Sequence, residues 1–543
     1  MKYIINNIML RSVVLVGVFL ITLTGCEDFL EEVPTNAYTA EADLSGREFA
    51  EPITFGAYRQ LATWTGGARD WGNNLPNTLE FPTGGSYTDE PHAQFDKYAT
   101  NQVTGSLLDN FNNQWTNWYR GVQDANLALS LLPSVEISET LMNQYMGEVR
   151  ALRAFYYFCI VRYWGDAVLI TEPLANVDEA SSPRTSLKTI YDEVIIPDLE
   201  FALNVVPAGR STNGRVTQDV VRAILADVYL TASGYPYQEV ETDPSKDWCG
   251  TGAWTMQNYP VGTPSATAFL QKAKTQLDAL YGKYALGTYD DLHDPAMNNK
   301  GEAIFQVQYS VQYGGNNIIR PSLPLLSGIA IGDENGSFTV AQHYYDSYAA
   351  NDARAAVSDN TWPSGMFFTW DTKADDITDT VRFIPHVIKY YDAASVKSTQ
   401  ASGLNWTHYR YADILLMLTE VNWALGASAA EIEKGINEVR DRAGLTPLDG
   451  NTLTLKDILS ERAWELVMEN KMLWDQRRTR KCVVYGNNEI SAIQNFIGHQ
   501  PEIFNFAFTA QHLLSPIPGN EMANNGVIQQ NFAYLPVQSG AGN

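Results

Sequence analysis

The stretch ETLMNQYMGEVRALRAFYYFCIVRYW, from Glu139 to Trp164, carries the clearest structural signal in the chain. Its apolar residues recur at steps of three and four: Leu141, Tyr145, Val149, Leu152, Tyr156, Cys159 and Tyr163. This spacing places them on one face of an α-helix, and Gly165 is positioned to end that helix. The segment therefore predicts an amphipathic helix over 139–164.

The same spacing returns in the C-terminal part of the chain. There the apolar residues of one helical face are Ala429, Ile432, Ile436, Val439 and Ala443. Gly444 and Pro447 follow and are typical of a helix end. Similar patterns predict helices at 112–132, 187–205, 217–233, 266–284, 408–425 and 455–479. These helices come in pairs joined by short turns, which favours packing of the tetratricopeptide type, although no clean 34-residue period occurs.

Composition limits the classes of partner. The 543 residues include 37 Lys and Arg against 62 Asp and Glu, a formal net charge of −25. Nucleic-acid binding relies on clusters of Lys and Arg, and the chain has no basic run, so we expect no nucleic-acid partner. Hydrophobic residues make up 45% of the chain, which is enough for a large core. The length alone suggests about three or four domains, but the paired helices favour fewer.

The N-terminus predicts export. Lys2 and Arg11 precede the apolar run 13–23, which is too short to span a bilayer as a helix and is typical of a secretory signal. Leu23-Thr24-Gly25-Cys26 resembles the bacterial lipobox, in which the cysteine carries the lipid. We therefore expect residues 1–25 to be a cleaved signal peptide and Cys26 to be lipidated. The acidic segment 26–40 is then predicted to be an extended tether, which precedes the folded part of the chain at 41–543.

Motifs for chemistry are scarce. Cys159, Cys249 and Cys482 remain after Cys26, an odd number at wide spacing, so we expect no disulfide framework. The seven histidines never approach the HExxH spacing, and neither a nucleophile elbow nor a P-loop is present. The acidic pairs at 290–291 and 375–376 do not make a complete EF-hand. The sequence predicts no catalytic residue and no cofactor, and leaves open whether a divalent ion binds.

Several motifs follow one another along nearly the whole chain. They are Cys26-Glu-Asp-Phe-Leu with Pro34, Glu148-Val-Arg-Ala-Leu-Arg-Ala-Phe-Tyr-Tyr to Asp166, Arg410-Tyr-Ala-Asp-Ile-Leu-Leu-Met to Glu420, Ile436 to Gly444, Leu459 to Arg478, and Pro516-Ile-Pro with Glu521. Together they resemble the SusD family of outer-membrane nutrient-binding lipoproteins, also called RagB/SusD. Two modest departures are Trp423 and the ending Asn531-Phe-Ala-Tyr534.

The resemblance implies a mainly α fold of four tetratricopeptide-type helix pairs, wrapped by irregular loops and a few short strands. It implies a single domain over 41–543, with an N-terminal SusD-like part at about 41–235 and a C-terminal RagB/SusD part at about 265–543. It also implies docking on a SusC-type TonB-dependent transporter. Acidic residues just after Cys26 resemble a surface-export signal, so we expect the outer face of the outer membrane.

Glu461, Glu465 and Glu469 lie four residues apart and share one face of the predicted helix. Such carboxylates can act as acid and base in catalysis. Arg462, Arg477 and Arg478 lie on the same or adjacent turns, and in the resembled family this segment locks helices together. Structural ion pairs are therefore the favoured interpretation.

Sugar capture needs flat aromatic faces together with polar side chains that bind hydroxyl groups. Three segments between the predicted helices supply both, and the resembled family draws its site from comparable regions. The candidate ligand-binding residues are Trp71, Asn73, Asn74, Tyr87 and Asp89 in one segment, Tyr313 and Arg320 in another, and Trp362 and Trp370 in the third.

The expected function is a surface lipoprotein that captures an oligosaccharide and passes it to the transporter, without being an enzyme. A RagB-like lipoprotein with peptide cargo is the alternative, because extended loops and acidic charge also suit basic peptides. A glycoside hydrolase is a further alternative, since it needs only two suitably separated carboxylates. The sequence does not identify the glycan, its linkage or its length.

Overall fold

Helices dominate the structure, a computed structural model. It describes residues 46–61, 78–87, 98–101, 106–176, 181–245, 256–313, 315–316, 338–355, 365–372, 382–390, 392, 395, 402–531 and 534. All of these belong to one unit, Gly46–Asn543. The predicted signal peptide, Cys26 and the tether at 26–40 lie outside the described residues and stay predictions, as do the domain boundaries.

The described helices overlap every predicted helix and include four that the spacing does not predict, at 47–58, 237–242, 342–346 and 519–524. They are α1 (Arg47–Tyr58), α2 (Ser106–Leu131), α3 (Glu139–Trp164), α4 (Leu187–Ile190), α5 (Ile196–Val205), α6 (Gln218–Ala232), α7 (Tyr237–Thr242), α8 (Pro264–Leu280), α9 (Gln342–Asp346), α10 (Tyr411–Ala424), α11 (Ala429–Arg442), α12 (Leu455–Glu465), α13 (Met472–Thr479) and α14 (Gly519–Asn524). A π-helical turn, Tyr191–Ile195, connects α4 to α5.

The bounds of α3 are those that the sequence predicts, for physical reasons visible at both ends. At its start the Ser138 side chain accepts a hydrogen bond from the Leu141 N–H, which caps the helix. At its end Gly165 has φ 73°, a backbone conformation that glycine adopts without strain. Most of the C-terminal half of α3 is buried, since helices pack on it from more than one side.

Neighbouring helices along the chain pack on one another. Helix α3 contacts α2 and α5, α6 contacts α5 and α8, and α10 contacts α8 and α11. The prediction of a mainly α fold is confirmed. This sequential stacking also agrees with helix pairs of the tetratricopeptide type.

Two predicted helices differ from the observed ones. Residues 408–410 were expected in a helix but belong to a strand, Trp406–Arg410, and α10 starts at Tyr411. The stretch 455–479 was expected as one helix but is divided into α12 and α13. Met468 (φ 56°) and Asn470 (φ 61°) between them adopt left-handed backbone conformations, which interrupt a right-handed helix.

The described strands form three small antiparallel sheets. They are β1 (Ser86–Tyr87), β2 (Ala303–Val307), β3 (Thr339–Val340), β4 (Phe367–Thr372), β5 (Arg382–Val387), β6 (Trp406–Arg410), β7 (Lys481–Tyr485) and β8 (Ile490–Asn495). One sheet has the order β1-β3-β5-β4, and the other two pair β2 with β6 and β7 with β8. Five of these strands, β2 to β6, lie between α8 and α10 in sequence.

The buried core is rich in aromatic side chains. Trp118, Trp164, Tyr156, Tyr157 and Tyr163 are almost fully buried where α2 and α3 meet. Cys159 and Cys482 are buried free thiols, and Cys249 lies outside the described residues. In the part of the chain that the structure describes, no helix has both the length and the apolar content needed to cross a membrane.

Candidate functional site

The four-stranded sheet joins two of the three segments that the sequence predicts for ligand binding. Tyr87 in β1 pairs with Thr339 in β3, and Thr339 pairs with His386 in β5. On the other edge, Trp370 in β4 pairs with Ile384 in β5. The backbones of Tyr87 and Trp370 are thus held in one sheet, although 283 residues separate them along the chain.

Tyr313 lies on a separate feature, a short 3-10 turn, Val311–Tyr313, that follows β2. Its side chain is 84% exposed, the largest exposed fraction among the large apolar side chains that the structure describes. Its backbone N–H donates to the Ser310 carbonyl at 2.9 Å. A short bridge between Asn316 and Ser402 holds the chain just beyond this turn. The turn therefore presents an aromatic ring to solvent from a fixed backbone.

The remaining candidates cannot be placed. Trp71, Asn73, Asn74, Asp89, Arg320 and Trp362 lie outside the described residues, and Trp370 is described only by its backbone. Tyr87 is half-buried in the sheet. The predicted site as a whole therefore stays a prediction.

The segment 78–87, which separates the candidates Asn74 and Asp89, is fixed to the helical body. The buried Glu80 carboxylate accepts a hydrogen bond from the Asn470 N–H at 2.6 Å. The Gln476 side chain in α13 donates to the Thr83 carbonyl at 3.3 Å. Gly85 packs so closely that an added Cβ would lie 2.7 Å from the Tyr485 hydroxyl. These contacts fix the segment from which the candidate loops extend.

Glu80 is an unusual carboxyl group. Burial raises its pKa to about 7, although the hydrogen bond from the Asn470 N–H acts in the opposite direction. Its Oε2 atom is buried and has no hydrogen-bond partner in the described ranges. Because an unpaired buried carboxylate is unfavourable, this position favours the protonated acid below about pH 7.

The other side of the sheet is fixed at the end of β5. There the buried Lys389 ammonium donates to the Glu469 carboxylate at 2.5 Å and to the Glu465 carbonyl at 2.7 Å. The Tyr390 hydroxyl donates to the Met468 carbonyl at 2.9 Å. The sheet is thus attached to the connection between α12 and α13, the same region that holds Glu80.

Glu461, Glu465 and Glu469 form structural ion pairs, as the sequence favours. Glu461 pairs with Arg354 and Arg440, and Glu469 pairs with Arg410 and Lys389. Glu465 pairs with Arg354, Arg410 and Arg442. Burial alone would raise the pKa of Glu465, but these guanidinium groups outweigh it and lower the pKa to about 2. A carboxylate held this way is unsuited to acid–base catalysis near neutral pH.

The partners differ from those that the sequence suggested. Arg462 pairs with Asp413 and Asp475, and Arg478 pairs with Glu420 and Asp475. The cations opposite the three glutamates come mostly from distant segments, which include Arg354 and Lys389 between the predicted helices at 266–284 and 408–425. Sequence reasoning missed these two residues because spacing identifies ion-pair partners only within one helix.

Metal binding was left open by the sequence. Within the described ranges, His, Cys, Asp and Glu side chains nowhere gather in a group of three that could hold a metal ion. The pair 290–291 is used differently, since the Asp290 carboxylate accepts a hydrogen bond from the Gly365 N–H at 2.6 Å. It links the turn Asp290–His293 to the residues before β4.

Comparison with known proteins identifies the family. A sequence model of the SusD family matches residues 332–534, and a second one, described as starch-binding associating with outer membrane, matches residues 29–230. A solved SusD superfamily protein from Parabacteroides distasonis is 30% identical, with a TM-score of 0.76, over 90% of this chain and 99% of that chain. The chain belongs to the SusD family.

Other relatives of this SusD-family protein agree with the assignment. SusD-like protein P2 from Formosa agariphila is 25% identical, with 95% of this chain and 97% of the relative covered. Surface glycan-binding protein A from Bacteroides thetaiotaomicron, solved in complex with laminarihexaose, shares the fold with a TM-score of 0.63. It is 20% identical, over 90% of this chain and all of that one. The resemblance inferred from the motifs is confirmed.

Proposed function

We propose that this SusD-family protein captures an oligosaccharide and is not an enzyme. The observation that carries the proposal is Tyr313, a ring that is 84% exposed on a backbone turn fixed on both sides. An exposed aromatic face costs free energy in water and regains it against the apolar C–H face of a sugar ring. Trp71, Tyr87, Trp362 and Trp370 are the further candidate platforms, with Asn73, Asn74, Asp89 and Arg320 as hydrogen-bonding groups.

The expected affinity is low. If each stacked ring contributes about 0.5–1.5 kcal/mol, three rings contribute at most about 4.5 kcal/mol, which is close to the roughly 4.1 kcal/mol of a millimolar site. Membrane attachment through a lipid on Cys26 offsets this weakness, because it raises the effective concentration of ligand beside a transporter. We propose the outer face of the outer membrane as the location and a SusC-type TonB-dependent transporter as the partner that receives the cargo.

The comparisons support a glucan as the first ligand to test. Surface glycan-binding protein A shares this fold and has been solved with laminarihexaose, and another solved protein of the same fold is a laminarin-binding SusD-like protein. Both are below 25% identity to this chain. They therefore suggest a probe and leave the actual glycan to experiment.

Calorimetric titration of the mature chain with laminarihexaose and a panel of other oligosaccharides tests the proposal. We expect millimolar binding to at least one glycan and none to a matched panel of basic peptides. Peptide binding without glycan binding would assign the peptide-capturing alternative. Release of reducing ends during long incubation with the bound glycan would assign a hydrolase instead.

A further inference from the structure

A cavity of about 40 Å³ lies between α13 and the C-terminal segment, and Thr78 and Pro82 of the segment 78–87 also line it. Aromatic rings form most of its wall. Phe504 and Phe506 stack with ring centroids 5.3 Å apart, and the His512 ring also stacks on Phe506, at 5.0 Å. Phe506 and His512 are partly exposed, as is Pro82, so these residues mark the mouth of the cavity.

Arg477 in α13 contributes the charge of this cavity and is only 8% exposed. Its Nε donates to the His512 carbonyl at 3.2 Å, and its Nη1 donates to the Arg162 carbonyl at 3.4 Å. Among the described residues, no carboxylate lies within ion-pair distance of this guanidinium. Burial lowers the pKa of Arg477 to about 10, which still leaves it charged at neutral pH.

The neighbouring arginines differ from Arg477, because each of them has a carboxylate partner. Arg462 pairs with Asp475 at 2.7 Å, Arg478 with Glu420 at 2.5 Å, and Arg480 with Glu239 at 2.9 Å. A buried cation is costly unless an anion accompanies it. Arg477 is therefore a buried positive charge whose balancing anion is missing from the described chain.

Two hydroxyl groups in the same cavity also lack hydrogen-bond partners among the described residues. Tyr98 is 6% exposed and Ser515 is 2% exposed, and the hydroxyl of each is buried without a hydrogen bond to any described residue. His512 does not change this balance, because a histidine ring is either neutral or positive and burial lowers its pKa to about 4, which keeps the ring neutral at pH 7. The cavity thus combines a guanidinium and two free hydroxyls, all of which can donate to an anion.

We propose that this Arg477 cavity binds a carboxylate group. A guanidinium fork matches the two oxygens of a carboxylate, and the hydroxyls of Tyr98 and Ser515 supply the further donors. The volume agrees, since one buried water needs about 10–15 Å³ and the cavity therefore holds about three atoms of that size. The stacked rings of Phe504 and Phe506 suit the apolar remainder of the ligand.

The carboxylate has two possible sources, a small free carboxylate ion or the carboxyl group of an acidic sugar. Calorimetric titration of the mature chain with acetate, glucuronate and glucose separates them. Binding of both acids, without glucose, supports the proposal with a free carboxylate as a sufficient ligand. Binding of glucuronate alone supports it with the sugar ring as part of the ligand. Absence of binding by both acids, or equal binding of glucose and glucuronate, overturns it.

Variants connect the binding to the cavity. Because their hydroxyls make no hydrogen bond within the part of the chain that the structure describes, Tyr98→Phe and Ser515→Ala should leave the melting temperature unchanged or raise it. Each should weaken binding of the acid roughly tenfold or more, since hydrogen bonds to charged groups are strong. Tyr281→Phe is the matched control, because the Tyr281 hydroxyl bonds Glu438 outside the cavity. Unchanged affinity in both cavity variants overturns the proposal.

The inference is independent of the proposed glycan capture. A neutral oligosaccharide that binds at Tyr313 does not need Arg477, and acetate can enter the cavity whatever the cargo. Loss of acid binding in Tyr98→Phe, with laminarihexaose binding intact, shows that the two sites are separate.

Discussion

Arg478 and Glu420 form a bidentate ion pair in the interior of the protein. The Arg478 Nη1 lies 2.5 Å from Glu420 Oε1, and Nη2 lies 2.7 Å from Oε2. Both residues are at most 3% exposed, and the pair links α13 to α10. The Tyr259 hydroxyl adds a further hydrogen bond to Glu420. The pair joins the motif segments Arg410–Glu420 and Leu459–Arg478, which carry much of the family resemblance.

Removal of this buried cation should be severely destabilising. Arg478→Met leaves the Glu420 carboxylate buried without its main partner, which typically costs about 3–5 kcal/mol in the free energy of unfolding. Chemical denaturation measures the loss. Arg47→Met is the control, because the Arg47 side chain is 67% exposed and its pair with Glu51 is worth about 1 kcal/mol or less. Similar losses in the two variants would contradict this account of the buried pair.

Glu80 should make stability depend on pH. Its pKa is raised from 4.5 to about 7 in the folded protein, so the folded state holds its proton more tightly than the unfolded state. Stability then falls as pH rises from about 4.5 to 7, by up to about 3 kcal/mol at 1.36 kcal/mol per pKa unit. Above pH 7 the full loss of stability that ionisation of Glu80 causes remains.

Glu80→Gln should remove this dependence. We expect the variant to unfold at a higher temperature than the wild type at pH 8 and at a similar temperature at pH 5. The exposed Glu193→Gln is the control and should behave like the wild type at both pH values. An equal effect of Glu80→Gln at pH 5 and pH 8 would show that the carboxyl group does not titrate in this range.

Gly435 permits the close approach of α10 and α11. An added Cβ would lie 2.4 Å from the Leu415 carbonyl oxygen, so Gly435→Ala must push the two helices apart. We expect a loss of about 1–3 kcal/mol in the free energy of unfolding. Gly56→Ala in α1 is the matched control, because nothing lies within 4 Å of its Cβ position. It should gain about 0.5–1 kcal/mol, since alanine favours the helix. A stable Gly435→Ala variant would contradict the packing of this pair.

The helices were largely predictable from the sequence. The spacing over 139–164 gave both ends of α3, because an apolar face and a terminal glycine are local signals. The division of 455–479 was not predictable, because Met468 and Asn470 take left-handed conformations that tertiary contacts impose. The Asn470 N–H donates a hydrogen bond to the Glu80 carboxylate, almost 400 residues earlier in the chain.

The candidate site was predictable only in part. Tyr313 is one of the aromatic candidates named from the sequence, and the structure shows it exposed. The joining of Tyr87 and Trp370 in one sheet depends on strand pairing across 283 residues, which composition and spacing do not reveal. The sequence could not predict that Arg477 lacks a carboxylate partner in the described chain, for a similar reason. The sequence places it among arginines that do have carboxylate partners, and only the folded structure distinguishes it.

The most direct test of glycan capture is the effect of Tyr313→Ala on affinity for a bound oligosaccharide. Loss of one stacked ring should weaken binding about threefold to tenfold with no change in the melting temperature, because the ring is almost fully exposed. Leu127→Ala removes another exposed apolar side chain, 48% exposed on α2, and should leave the affinity unchanged. Equal affinities of the wild type and both variants would contradict the proposal that Tyr313 is a glycan platform.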